Sequence, residues 1–104
     1  METVYIGRSG SIDLQLLADG AILTPEQMSA ITDVGIIAFG TNYRASAYPS
    51  AFDFTTRAAE AVVSLMLGNV LTDPGTDLSA HLVIYSSDWP QGIVWGCIAL
   101  QVKA

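Results

Sequence analysis

The sequence predicts an all-β sandwich or barrel, and three observations carry that expectation. Short runs alternate apolar and polar residues, Gly- and Pro-centred turn signals separate the runs, and only one segment opens with a strong helix signal. About six or seven strands fit at that spacing. A chain of 104 residues holds one domain and little else.

Val4 and Ile6 begin a short strand that Gly7-Arg8-Ser9-Gly10 stops. Ile12, Leu14 and Leu16 then share one face while Asp13 and Gln15 share the other, the pattern of a half-buried strand. Asp19-Gly20 is a hairpin turn, because Gly takes the positive φ the turn needs, and Ala21 to Leu23 resumes extended structure. Thr24-Pro25-Glu26-Gln27 predicts a helical turn near 25–30. Thr24 caps it, Pro25 fits its first position and Gln27 reaches back to close a capping box.

Ile31 to Phe39 reads as a strand with apolar residues on both faces, which places it inside two layers. Gly40 to Ala51, rich in Tyr, Asn, Ser and Pro, reads as a loop, and Phe52-Asp53-Phe54 as the start of a short strand. Arg57 to Ala61 has helical propensity, yet Val63, Leu65 and Leu67 alternate with their neighbours. The reading is a turn followed by a strand from Val62 to Leu67. Asp73-Pro74-Gly75-Thr76-Asp77 is a turn by composition. Ser79 to Ser86 and Ile93 to Val102 are the last two strands, joined by Asp88-Trp89-Pro90-Gln91-Gly92.

Composition bounds the function. Apolar types make up 51% of the chain and charged types 13%, which excludes a disordered chain. The longest nearly unbroken apolar run, Ile93 to Leu100, is far shorter than a membrane span, and the first ten residues carry no secretory-signal pattern. Ten acidic and four basic residues give a net charge of −6. Arg8, Arg44, Arg57 and Lys103 are scattered singly, so neither a nucleic-acid backbone nor an anionic membrane is an expected partner. A small soluble monomer carries about a quarter of its residues charged, so part of this surface is expected to be covered by self-assembly or docking.

No catalytic site, cofactor or metal site emerges. Cys97 is the only cysteine and lies in an apolar strand, where a small buried hydrophobe is expected. His81 has no motif partner and reads as a strand residue pairing across the sheet. The two together are too few for zinc within one chain. Gly7-Arg8-Ser9-Gly10-Ser11 lacks the Lys and following helix of a phosphate loop. Asp73 and Asp77 flank a Pro-Gly turn and read as turn formers rather than calcium ligands. The candidate interface residues are aromatic: Tyr43, Tyr48 and Phe52 around the central loop, and Trp89 beside Pro90 in the late turn. They serve either as interface anchors or as plugs for an open end of the sandwich, with Trp95 in the core.

The segment Leu82 to Gly96, a strand, a D-x-P-x-G turn and a strand opening on Ile93-Val94-Trp95-Gly96, resembles small structural domains of tailed bacteriophages. Ile12 to Leu16 with Asp19-Gly20, and Leu65-Met66-Leu67-Gly68 before the Asp73-Pro74-Gly75 turn, are similar too. Together they resemble the immunoglobulin-like N-terminal domains of phage baseplate upper proteins and related virion adaptors. The resemblance implies an immunoglobulin-like β-sandwich of about six to eight short antiparallel strands. It also implies a non-enzymatic virion component, made in the bacterial cytoplasm and built into the tail, baseplate or fibre-attachment region. Its expected partners are copies of itself, as a trimer or hexamer, and other phage structural proteins. Baseplate upper proteins carry long additional regions after this domain, whereas this sequence ends at Ala104, so the expectation is a free-standing module whose place in the particle the resemblance does not fix. The rival readings are a capsid decoration protein and a small carbohydrate- or ligand-binding module built on Tyr43, Tyr48 and Trp89. Thr3 to Ile6 is the edge segment expected to accept a strand from a partner by β-augmentation.

Overall fold

Alternation along the chain is converted into sheets whose inward faces meet. The computed structural model describes residues 1–104, with 51% in strands and 13% in helices. In chain order the strands are β1 (Glu2–Tyr5), β2 (Ile12–Gln15), β3 (Leu17–Ala18) and β4 (Ala21–Ile22). Helix α1 (Pro25–Ser29) follows, then β5 (Ile31–Ala38), β6 (Thr41–Arg44), β7 (Phe52–Asp53) and β8 (Val62–Leu65). The chain closes with β9 (Gly75–Ser86) and β10 (Ile93–Lys103); single 3₁₀ turns lie at Pro49–Ala51, Ala58–Glu60 and Leu67–Asn69. One sheet has the order β1-β10-β9-β5-β6, a second has β2-β8-β7, and β3 pairs with β4 alone. Every pairing is antiparallel except that of β1 with β10. The architecture is predominantly β with antiparallel sheets and one α-helix, compatible with a β-sandwich.

The core follows from the two-residue period. Val34, Ile36 and Ala38 on β5 face inward beside Leu82 and Ile84 on β9, with which Ile36 and Val34 are paired. Leu100 and Val102 on β10 and Val4 on β1 extend that surface. Ile12 on β2, Phe52 on β7, and Val63 and Leu65 on β8 belong to the same cluster from the second sheet. Each such side chain contributes about 1.5–3 kcal/mol by leaving water.

Local signals closed the hairpin and the helix as their residues dictate. Asp19 and Gly20 both hold positive φ, 52° and 81°, the conformation of a two-residue type I′ turn. At α1 the Gln27 N–H donates to Thr24 Oγ1 at 3.2 Å, and the Thr24 N–H donates to Gln27 Oε1 at 2.9 Å. Met28 anchors the turn in the core.

Four expectations are corrected. Gly40–Ala51 is not all loop: β6 pairs with β5 from Ala38↔Thr41 to Gly35↔Arg44, a register that its polar sequence hides. Strands β9 and β10 are long, 12 and 11 residues, and β1 runs parallel to β10 rather than antiparallel. The second face of β5 is only partly covered, with Ile37 half-buried and Phe39 exposed where the chain turns at φ 54°. Cys97 is exposed, not buried. The cause is a bulge. Pairing passes from Val94↔Val83 to Gly96↔Leu82, so Trp95 is an extra residue and the alternation beyond it is inverted. Cys97 therefore lies opposite His81 on the outer face of the large sheet.

That outer face is anchored near β6 by a buried carboxylate. Asp33 Oδ1 accepts from the Val34 and Ser46 N–H groups at 2.9 and 3.1 Å, and Oδ2 accepts from Arg44 Nε at 2.9 Å. The Arg44 guanidinium lies 3.8 Å from the centre of the Tyr85 ring. The Tyr85 hydroxyl in turn accepts from Asn42 Nδ2 at 2.8 Å.

Candidate functional site

The chain's only two tryptophans line one cavity of about 300 Å³. Leu23, Ile31 and Ile84 supply apolar wall, and Gln27, Ser86 and Asp88 supply the polar groups. Each part is placed by a local device. Trp89 sits in the turn between β9 and β10, where its N–H donates to the Ser86 carbonyl at 3.1 Å and its carbonyl accepts from the Gly92 N–H at 2.9 Å. Gly92, at φ 81°, lies flat against Val83 and Tyr85; a Cβ there would sit 2.6 Å from Val83 Cγ1 and 2.7 Å from the Tyr85 ring. Trp95, the supernumerary residue of the bulge, is partly buried against the core. Gln27 is held by the capping box of α1.

The hydrogen-bonding inventory of the cavity is mixed. Gln27 Oε1 is occupied by the Thr24 N–H, which leaves its amide nitrogen as donor. Ser86 is 5% exposed; its Oγ accepts from the Trp89 N–H at 3.2 Å, which leaves the hydroxyl proton to donate. Asp88 is in none of the three ion pairs, Arg44–Asp33, Arg57–Asp13 and Arg57–Glu60. Its carboxylate oxygens are open acceptors.

The five residues singled out from sequence do not converge on one site. Tyr43 and Tyr48 touch, with ring centres 5.8 Å apart and planes tilted by 59°. Tyr43 lines a cavity of about 110 Å³ with Phe39 and Leu71, and Phe52 lines another of about 250 Å³ with Thr32 and Pro49. Phe52 is buried in the core cluster, whereas Tyr48, Trp89 and Pro90 are exposed. Trp89 joins neither tyrosine but Trp95. Gln27, Ser86 and Asp88 went unnoticed in the sequence; only the capping box marks Gln27, and nothing local connects it to the late turn.

A second chemical pairing is created by the inverted register: Cys97 Sγ lies 3.0 Å from His81 Nδ1. The pair faces outward on the sheet. Cys97 also borders an open cavity of about 150 Å³ with Leu14, Leu82 and Trp95, but His81 does not line it. The displaced carboxyl pKa values run downward. The Thr56 N–H and hydroxyl, with the Thr55 N–H, hold Asp53 down to about 2. Bonds from Phe39 and Ser79 lower Asp77, bonds from Ser64 and Ser11 lower Asp13, and the Arg57 guanidinium lowers Glu60. These are carboxylates tied into turns and ion pairs, the opposite of a carboxyl raised to serve as a general acid. In comparisons with models of known families, with curated proteins and with solved structures, nothing matches this chain.

Proposed function

We propose that this chain is a non-enzymatic docking module of a bacteriophage particle, with an immunoglobulin-like fold, that works by assembling with copies of itself and neighbouring virion proteins. Strand order supports the fold. An immunoglobulin domain sets strands B, E and D in one sheet and G, F, C and C′ in the other. Here β2-β8-β7 follows B-E-D and β10-β9-β5-β6 follows G-F-C-C′, with β1 added in parallel at the G edge. The inter-sheet disulfide and the strand-C tryptophan of antibody domains have no counterpart, since Cys97 is alone and β5 holds no Trp. The phage assignment rests on the resemblance of the Leu82–Gly96 segment and its companions.

The observation that carries docking is a pair of exposed patches on different elements whose own side chains hold no fixed charge. On the outer face of the large sheet Ile37, His81, Val94 and Cys97 carry no fixed charge, and Val94 is 57% exposed. On the β3–β4 hairpin, Leu17 and Ile22 are cross-strand partners, 49% and 45% exposed. Unlike patches that meet head to tail close into rings, which fits a trimer or hexamer better than a two-fold dimer. Light scattering on size-exclusion fractions over a concentration series should give that ring, and Leu17→Lys with Ile22→Lys should reduce it to monomer. A wild-type monomer at high concentration would remove autonomous assembly. Antibody labelling of purified particles then locates the module. Label at the tail supports the reading, label over the head makes it a decoration protein, and unlabelled particles refute a virion role.

A further inference from the structure

We infer that the cavity between Trp89 and Trp95 is a binding site for a single uncharged, polyhydroxylated ring, a hexopyranose or the terminal sugar of a glycan. The assignment comes from matching what the cavity offers against what each class of ligand can use. The walls offer two indoles and the side chains of Leu23, Ile31 and Ile84. The polar groups offer donors from the Gln27 amide and the Ser86 hydroxyl, and acceptors from the Asp88 carboxylate.

A purely apolar occupant would strip water from Ser86 and Asp88 and return no hydrogen bond, a loss that falls on the group already 95% buried. An anion would meet the unpaired Asp88 carboxylate, with Asp19 and Glu26 in the neighbouring hairpin turn and helix α1, and no Lys or Arg lining the cavity. An ammonium or guanidinium ion would suit the indoles and Asp88 but brings donors only, and a quaternary ammonium such as choline brings one hydroxyl at most, so donors of Gln27 and Ser86 would stay unmatched. A sugar ring uses all of them. Its C–H face packs on an indole while its hydroxyls both accept from Gln27 and Ser86 and donate to Asp88. A cavity of about 300 Å³ is at the small end of ligand sites, which limits the occupant to about one ring.

The site reports on itself, because the only tryptophans of the chain both line it. The experiment titrates D-glucose, D-galactose and N-acetyl-D-glucosamine separately against the intact protein, reading tryptophan emission and, independently, calorimetric heat. At least one should give a saturable change with half-saturation on the order of 1–10 mM, the range expected for a ligand of about a dozen heavy atoms. Asp88→Ala should raise that midpoint at least tenfold, and Trp89→Ala should abolish binding while Trp95 still reports. Circular dichroism of both variants must match wild type for the comparison to stand, and Asp88, exposed and unbonded, is the variant least able to disturb the fold. Choline is titrated alongside. Saturation by choline and by none of the sugars would replace the assignment with a cation site. No saturation by any of the four, or a midpoint unmoved in Asp88→Ala, would overturn it.

Discussion

Replacing Asp33 tests how the outer face of the large sheet is held. Its side chain is 10% exposed, and it receives three hydrogen bonds whose loss is unequal. Val34 is fully buried, so in Asp33→Ala its N–H is left without a partner, at about 1–3 kcal/mol. Ser46 is exposed and its N–H turns to water at little cost. Arg44 is 40% exposed, so its ion pair is screened and contributes about 0.5–1 kcal/mol. The sum is about 1.5–4 kcal/mol, or roughly 6–30 °C in melting temperature for a domain of this size. Asp33→Asn keeps an Oδ1 acceptor for both N–H groups but sets an amide donor where Oδ2 accepted from Arg44 Nε, so the charge and that bond are lost while the part-exposed Arg44 turns to water, and about 1 kcal/mol is expected. Urea unfolding of wild type and both variants, followed by tryptophan emission, measures the difference. If Asp33→Ala and Asp33→Asn come out equal, the Val34 N–H is not the term that matters and the reasoning fails.

Gly92→Ala should cost about 2–4 kcal/mol, because Ala is strained at φ 81° and its Cβ would overlap Val83 and Tyr85; a thermal melt matching wild type would show that the turn carrying Trp89 yields freely. Asp53 should make the fold acid-sensitive. Its folded pKa of about 2 lies below the ordinary 3.8, so its stabilisation is complete above pH 4 and is lost as pH falls through 2. Asp53→Asn should then show a shallower loss of stability than wild type over that window in pH-dependent urea unfolding, and parallel curves would refute the linkage.

What the sequence disclosed was what neighbouring residues decide among themselves. The Asp19-Gly20 turn, the Thr24–Gln27 capping box and the Ile12-Leu14-Leu16 face each need only a few consecutive residues, and each formed as read. Strand β6 escaped because Thr41-Asn42-Tyr43-Arg44 has no apolar alternation. It is a strand only because β5 lies beside it and Asp33 awaits Arg44. The parallel placement of β1 against β10 joins the two ends of the chain and has no local signal. The candidate cavity was half legible. Trp89 stands out in a turn, whereas its partners come from the hairpin, α1, the start of β5 and two strand ends.

One residue links the outer face around Cys97 to the cavity. Were pairing regular from Val94 onward, Trp95 would oppose Leu82 and Cys97 would oppose Ala80, turning inward toward the core; the bulge puts Gly96 and His81 in those places instead. Trp95 stays on the inner side of β10 in either register and forms wall for both the 300 Å³ cavity and the smaller one beside Leu14. What the inserted residue changes is the register beyond it, which turns Cys97 outward beside His81. The outward Cys97–His81 pair and the Trp95 wall of the cavity thus meet at one break in strand alternation, and it is the outward pair that the break creates.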